Sequence, residues 1–228
     1  MGWVSAELGE LSLAWVEDCR HSGEHPVLDI GAAFGAAALA ALVSGAHVIA
    51  NDLSPEHLAE LARLAPARAR LTLKPGHFPK QLHLEAASLH SVHISNVVHF
   101  LTGRQLDHGL RMIARWLRPG GRLFLQAVTP FQSVFAGFLP EYERRIRAHV
   151  RWPGYIAKVS EFARHRQFSQ MPRSVHLLDD EILRRAALEA GLEVERCWLF
   201  RRPDQPKELL LDGRESVALI ARAPQETD

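Results

Sequence analysis

The segment that most constrains the fold is a short apolar run followed by a glycine-bounded turn. The run covers residues 26–30 (PVLDI), and Gly31 and Gly35 bound the turn that follows it. Because glycine has no Cβ, the backbone at this turn can pass close to a ligand. The Ala-rich residues 36–43 come next, and alanine has the highest helix propensity. A buried strand, a glycine turn and a helix predict the start of a βαβ unit in a parallel sheet.

The same alternation of apolar runs and helical patterns continues as far as residue 128. Further strands are predicted at residues 47–51, 70–73, 92–96 and 122–128, with helices between them. Two more, at residues 194–200 and 217–221, are joined by a turn-rich stretch that is typical of an antiparallel hairpin. The pattern therefore predicts an α/β fold with a doubly wound, mostly parallel, seven-stranded sheet and helices on both faces.

Length and composition limit the class of protein. The 228 residues suffice for one α/β domain and are too few for two, so residues 1–228 are expected to form a single domain. Apolar residues make up 47% and charged residues 23%, as in ordinary soluble proteins. No apolar run approaches the roughly 20 residues of a membrane helix, and the N-terminus does not resemble a secretion signal. We therefore expect a cytoplasmic protein with no membrane partner.

Two further sequence features bear on metals and partners. Cys19 and Cys197 lie far apart in the chain and have no metal-ligand spacing, so no metal site is predicted. The net charge is +1, which gives no overall attraction toward nucleic acid or an anionic membrane.

Asp29, two residues before Gly31, indicates which kind of cofactor the turn holds. A dinucleotide fingerprint has Gly-x-Gly-x-x-Gly after the strand, so that a pyrophosphate can lie at the helix N-terminus. The turn lacks the second and third glycines at that spacing, and the Asp29 carboxylate would repel a phosphate. It would attract the ammonium group of an amino-acid moiety. Asp52, at the end of the second strand, is placed to accept hydrogen bonds from ribose hydroxyls.

On these residues the chain resembles the class I, seven-stranded S-adenosylmethionine-dependent methyltransferases. The resemblance rests on the glycine-rich segment 27–35, on residues 51–54 (NDLS) and on residues 117–123 (LRPGGRL), which lead into the fifth strand. It implies S-adenosyl-L-methionine as the cofactor and S-adenosyl-L-homocysteine as its product. It also implies the strand order 3-2-1-4-5-7-6.

The resemblance implies a role for the residues around the first turn. Gly31, Ala32 and Gly35 would flank the methionine part of the cofactor, and Asp29 would lie near its amino group. Ala33 stands where the family commonly has the middle glycine of this motif.

The adenosine part would be held by residues from the next strands. Asp52 would bind the ribose hydroxyls, and Leu53 would pack on the adenine. His77 and Phe78 fall where the family often has an acid and a following amide that meet the adenine edge; here a histidine replaces the acid.

The tip of the fourth predicted strand would lie beneath the cofactor. Ser95 and Asn96 are the residues at this tip, and His99 follows close to where a methyl acceptor would lie. Histidine has an ordinary pKa suited to a general base, so His99 is the candidate catalytic residue. In the alternative interpretation, His99 only caps or packs the loop.

Residues 129–175, called the insertion below, are too long for a plain connection between strand five and the last helix. Their pattern predicts a helical segment with an aromatic side and a basic side, and residues 141–173 hold eight basic and three acidic residues. In this family, insertions at this place often cover the active site. One interpretation is a lid over an acceptor with an apolar body and a negative group. The other is a pair of helices whose aromatics fill the core and whose arginines face solvent.

A helix predicted within residues 1–22 has two interpretations of the same kind. Its apolar residues are Trp3, Leu8, Leu11 and Trp15. The helix either closes over the cofactor or serves only in packing.

The leading functional hypothesis is methyl transfer to an oxygen or nitrogen of a small-molecule acceptor. The runner-up is a methyltransferase acting on RNA or protein through the basic part of the insertion. The near-neutral total charge and the lack of an appended binding domain disfavour a nucleic-acid partner. A cofactor-binding protein without transfer activity and a nicotinamide oxidoreductase complete the alternatives.

Overall fold

The computed structural model describes residues 8–162, 172–202 and 205–225, so Trp3 of the predicted first helix lies outside the described residues. The helices are α1 (Glu10–Cys19), α2 (Ala36–Val43), α3 (Pro55–Leu64), α4 (Gly103–Trp116), α5 (Leu139–Arg147) and α6 (Asp180–Glu189). The strands are β1 (Val27–Ile30), β2 (Val48–Asp52), β3 (Leu71–Pro75), β4 (Leu89–Ser95), β5 (Leu117–Val128), β6 (Tyr155–Ile156), β7 (Val175–His176), β8 (Glu193–Phe200) and β9 (Ser216–Arg222).

Seven strands form the main sheet in the order β3-β2-β1-β4-β5-β9-β8. The first five are parallel, and β9 runs antiparallel between β5 and β8. Because β6 and β7 pair with each other in a separate small sheet, this order is the predicted 3-2-1-4-5-7-6. The fold class and the final hairpin are therefore confirmed.

Apolar side chains on alternate residues of the central strands cover the two faces of the sheet. Leu28 and Ile30 of β1 pack in a cluster with α4 and α6. Val27, together with Val48 and Ala50 of β2, packs on the other face with α1, α2 and α3. Side chains at the carboxyl ends of the parallel strands meet at one edge of this two-sided core.

The first half of the insertion is helical, and the described residues of its second half hold a short 3-10 turn (Val159–Glu161). A 3-10 turn (Ser133–Phe138) leads into α5, whereas the second half contributes the antiparallel pair β6 and β7. These two-residue strands are too short to give a periodic pattern in the sequence. The insertion has an apolar cluster of its own, formed by Phe135, Phe138, Tyr142, Ile156, Val159, Val175 and Leu177.

The described residues contain neither a membrane-spanning helix nor a metal-binding group. No helix there is long and apolar enough to cross a membrane. No group of three or more His, Cys, Asp or Glu side chains within those same ranges is arranged to hold a metal ion.

Gly154 tests how tightly the small sheet is packed. A Cβ at this position would lie 1.9 Å from the Leu177 carbonyl oxygen, a main-chain atom that cannot move aside alone. We expect Gly154→Ala to lower the free energy of unfolding by about 1 to 3 kcal/mol, measured by urea denaturation. Gly9→Ala, where a Cβ meets nothing within 4 Å, is the control. Equal stability of the two variants would contradict the tight approach.

Candidate active site

The turn between β1 and α2 needs glycine at two positions, both for its backbone conformation and for its close contacts with neighbouring side chains. Gly31 and Gly35 have φ values of 72° and 87°, in the left-handed region. A Cβ on Gly31 would lie 2.2 Å from Cγ2 of Val97, and one on Gly35 would lie 2.2 Å from Cδ1 of Leu61. Ala32 lies within this turn, buried. The predicted methionine-binding residues thus lie together, against the segment that follows β4.

Asp52 fixes the shape of this turn. Its Oδ2 accepts a hydrogen bond of 2.8 Å from the amide of Ala33, and its Oδ1 accepts one of 2.8 Å from the amide of Ser54. Oδ1 also lies 3.2 Å from Nδ1 of His57. A carboxylate has about four acceptor positions, so a ribose hydroxyl can add to these partners or take the place of His57. Ala33 has a φ of 48°, and its bond to Asp52 explains how alanine is held in a conformation that favours glycine.

Apolar surface lies exposed beside this carboxylate. Leu53 is 68% exposed and Phe34 46% exposed, and the Phe34 ring lies 4.5 Å from the His57 ring between centroids. Leu53 was predicted as an adenine contact, Phe34 was included only within the glycine-rich segment 27–35, and His57 was not predicted. Large exposed apolar side chains next to a buried acid suit a flat, partly polar group such as adenosine.

The third strand brings His77 and Phe78 to the same edge. The Gly76 amide donates to the Asp52 carbonyl oxygen at 3.0 Å, which places the loop after β3 beside the ribose acid. His77 is exposed, and its amide donates to Oε1 of Gln81 at 2.8 Å. The Phe78 ring packs in the core, with its centroid 6.5 Å from that of Trp116.

Asp29 is buried, at 3% exposure, and lies in the α1-covered face of the sheet. Its Oδ1 accepts a hydrogen bond of 2.8 Å from Nδ1 of His93. Among the described residues, Asp29 has no other side-chain partner. Its second oxygen, Oδ2, accepts no hydrogen bond within the described residues and can bind a cationic group, so the site fits the ammonium of a methionine moiety.

The chain leaves β4 through Ser95 and Asn96 and then forms a 3-10 turn (Val98–Phe100) that contains His99. Asn96 has a φ of 56°, and its amide donates to the Gln126 carbonyl at 3.0 Å. Nδ1 of His99 is buried and has no hydrogen-bond partner in the part of the chain that the structure describes. Burial lowers the pKa of His99 to about 4, so the imidazole is neutral at pH 7 and is a weak base. It is suited to accepting a hydrogen bond more than to removing a proton.

A cavity of about 620 Å³ lies where the insertion meets the start of α4. Thr102, Gly103 and Arg104 line one side, and the insertion lines the other with aromatic residues that include Trp152, Tyr155 and Phe162. Trp152 lies directly on Gly103, where a Cβ would come within 2.1 Å of the indole. The insertion therefore closes onto the segment that begins with His99.

The arginines of the insertion are mostly paired within the chain. Arg144 and Arg145 both bind Glu141, and Arg145 also donates to two carbonyl oxygens of the insertion. Arg151 binds Asp107 and Glu189. Arg164 and Arg166, which contributed to the predicted basic side, lie outside the described residues.

Arg104, which was not predicted as a site residue, differs from these arginines in its contacts. It is exposed, lines the cavity, and makes no hydrogen bond or ion pair within the described ranges. No sequence signal separates it from the other arginines, because only the three-dimensional arrangement shows which of them are paired.

Comparisons with known proteins agree with this geometry. Residues 27–121 match the family model described as a methyltransferase domain. No functionally curated protein matches the chain in sequence. Among solved structures, an S-adenosylmethionine-dependent methyltransferase from Mesorhizobium loti is 19% identical with a TM-score of 0.67, covering 94% of this chain and 98% of that one. One from Methanosarcina mazei is 14% identical with a TM-score of 0.69, covering 96% and 100%.

A third structural neighbour carries a bound ligand pair. It is the 1,6-didemethyltoxoflavin-N1-methyltransferase of Burkholderia thailandensis, with bound 1,6-didemethyltoxoflavin and S-adenosylhomocysteine. It is 17% identical with a TM-score of 0.60, and the match covers 95% of this chain and 79% of that one. At such identities these likenesses concern the fold.

The sheet order is that of the Rossmann-like class I methyltransferase fold. Residues 27–121 match a methyltransferase domain within this fold, and the site at the carboxyl edge of the sheet fits S-adenosyl-L-methionine as its cofactor.

Asp52→Asn tests the ribose contact. The substitution keeps the size of the side chain but removes its charge and one acceptor oxygen. We expect the dissociation constant for S-adenosylhomocysteine, measured by calorimetry, to rise on the order of a hundredfold, since two charge-assisted hydrogen bonds weaken. Glu60→Gln, an acid on α3 paired only with Arg63, is the control. A change of less than about threefold in Asp52→Asn would place the ribose elsewhere.

His176 gives a pH-dependent prediction. Burial lowers its pKa from 6.5 to about 4, so the unfolded chain binds a proton between these values that the folded chain does not. The free energy of unfolding therefore decreases as the pH is lowered through this window, and it is about 2 kcal/mol smaller at pH 5 than at pH 8. His176→Asn does not titrate and retains a donor for the Leu101 carbonyl, so its urea unfolding should lose this part of the pH dependence. The exposed His21→Asn should behave as the wild type; an unchanged pH dependence in His176→Asn would contradict the assignment.

Proposed function

We propose that the enzyme transfers a methyl group from S-adenosylmethionine to an oxygen or nitrogen of a small molecule with a flat apolar body and a negative group. The cavity under the insertion is the observation that carries this proposal. Its volume of about 620 Å³ lies within the roughly 300–1,000 Å³ typical of small-molecule sites. Aromatic side chains suit the flat body, and Arg104 suits the negative group.

The same observations disfavour RNA as the acceptor. An RNA acceptor needs an extended face of unpaired positive charge. In the described part of the insertion, Arg144, Arg145 and Arg151 are held by acids of this chain. Of the two arginines that line the cavity, Arg145 is held by Glu141, whereas Arg104 makes no ion pair within the described residues and matches a small anion.

Each part of the site has a distinct proposed role in the reaction. S-adenosylmethionine supplies an activated methyl group on its sulfonium. The chain fixes the two ends of this cofactor, with Asp29 at the ammonium and Asp52 at the ribose. The insertion positions the acceptor and excludes water, so that the nucleophilic atom lies in line with the methyl group.

His99 is proposed to accept a hydrogen bond from the N–H or O–H of the acceptor. Its lowered pKa, about 4, makes full proton removal at neutral pH inefficient. The proposal therefore favours an acceptor that is already nucleophilic, such as an aromatic nitrogen or a readily ionised hydroxyl. The Burkholderia thailandensis neighbour supports this class, because its fold binds a small acceptor and S-adenosylhomocysteine together.

The function is tested by following a labelled methyl group from S-adenosylmethionine. One set of acceptors contains aromatic and heteroaromatic carboxylic acids that carry a ring hydroxyl or nitrogen; a matched set contains their neutral amides. Total RNA and a denatured protein mixture form the third and fourth sets. We expect label in the carboxylates and much less in the amides. Label confined to RNA or protein would overturn the proposal, and so would tight cofactor binding with no transfer in any set.

Arg104→Gln tests the negative group of the acceptor. We expect KM for the acceptor to rise about 10- to 100-fold through loss of a charge-assisted contact, with cofactor affinity unchanged. Arg111→Gln is the matched control, an exposed arginine on the same helix that does not line the cavity. An unchanged KM, or an equal rise in both variants, would contradict the role of Arg104.

A further inference from the structure

A buried chain of hydrogen bonds connects the first helix to the cofactor acid. Asp29 of β1 and His93 of β4 are register partners in the sheet. Nδ1 of His93 lies 2.8 Å from Oδ1 of Asp29, and its Nε2 lies 3.0 Å from Oγ of Ser12 in α1. Their exposures are 3% for Asp29, 3% for His93 and 9% for Ser12. Both nitrogens of the imidazole are therefore engaged away from solvent.

The plane of this imidazole is fixed as well. The Trp15 indole stacks on the His93 ring, with centroids 4.8 Å apart and planes inclined by 18°. Trp15 is itself held by a hydrogen bond of 3.1 Å from its Nε1–H to Oγ of Ser91. Helix α1 thus determines both the position and the orientation of His93 within the sheet.

The consequence falls on the direction of the Asp29 carboxylate. One oxygen is held by His93, and rotation of the carboxylate would break that bond. The other oxygen accordingly keeps a single direction, with no partner among the described side chains. Ser12, His93 and Asp29 have the order of a hydrolytic triad, but the burial of Ser12 gives a substrate no access to its hydroxyl.

We infer that Ser12 and His93 are positioning residues that hold the Asp29 carboxylate toward the ammonium group of the cofactor. The inference rests on the proposed contact between Asp29 and that ammonium group. It gives α1 a part in the cofactor site from beneath the sheet edge, in addition to its packing on the core. It also explains why Ser12 and His93 are buried together where α1 packs on the sheet, since polar groups in such a place must be hydrogen-bonded.

Two ligands separate a positioning role from a merely structural one. S-adenosylhomocysteine contains the amino-acid moiety, whereas 5′-methylthioadenosine keeps the adenosine and lacks that moiety. His93→Leu removes the donor to Asp29. We expect it to weaken binding of S-adenosylhomocysteine about tenfold and to leave the affinity for 5′-methylthioadenosine unchanged, as measured by calorimetry. A general disturbance of the site would weaken both ligands alike and would overturn the inference.

Conservative and matched variants complete the test. His93→Asn retains an N–H near the position of Nδ1, so it should recover part of the lost selectivity. Ser12→Ala should shift the ratio of the two affinities in the same direction by about threefold. Ser216→Ala loses a buried hydroxyl of β9, a strand that pairs with neither β1 nor β4, and its ratio should equal that of the wild type. Equal ratios in wild type, Ser12→Ala and His93→Asn would sink the inference even if His93→Leu did not fold.

Asp29→Asn distinguishes failure of the inference from failure of the proposed contact. If Asp29→Asn leaves the ratio of affinities unchanged, the ammonium does not bind Asp29, and the inference falls with the contact. If Asp29→Asn lowers the ratio but the His93 variants do not, the contact stands and the positioning role is wrong.

Discussion

The Asp52 carboxylate is the interaction on which the geometry of the cofactor site depends. It holds the turn after β1 through the Ala33 amide and the start of α3 through the Ser54 amide. Its main-chain carbonyl holds the loop after β3 through the Gly76 amide. Three segments from separate parts of the sequence are thereby joined at one residue. The proposed ribose-binding acid is thus also a structural element of the site.

The candidate cofactor site could be proposed from the sequence because its determinants are local. A glycine turn after a buried strand, with Asp29 inside the strand end, indicates a backbone conformation and a charge within a few residues. The order of the strands followed from the resemblance to a family, and the hairpin followed from residue patterns. The contacts between neighbouring strands could not be predicted in this way. His93 gave no signal, because its contact with Asp29 depends on the register of β4 against β1. The contact of His57 with Asp52 depends on how α3 leaves β2.

For the insertion, the sequence predicted a long helical segment after strand five but not its small sheet or its ion pairs, for the same physical reason. The length and aromatic content of the insertion indicated a covering segment, but its small sheet has strands of only two residues. The basic side also had two interpretations that the sequence could not separate. The structure pairs most of the described arginines with acids and leaves Arg104, from a helix outside the insertion, as the unpaired cation of the cavity. The sequence gives only the number of charged residues in a segment. Recognition of a ligand depends on which of those charges have no partner within the chain.

The contact between Gly31 and Val97 links these two regions through volume alone. The Val97 side chain occupies the space that a Cβ at residue 31 would need. Residue 31 belongs to the cofactor turn, and residue 97 belongs to the segment that leads to His99 and the cavity. The side chains at residues 31 and 97 therefore compete for the same volume, so a larger residue at one position requires a smaller residue at the other. Since the left-handed backbone of residue 31 favours glycine, the size of residue 97 is what must fit this space.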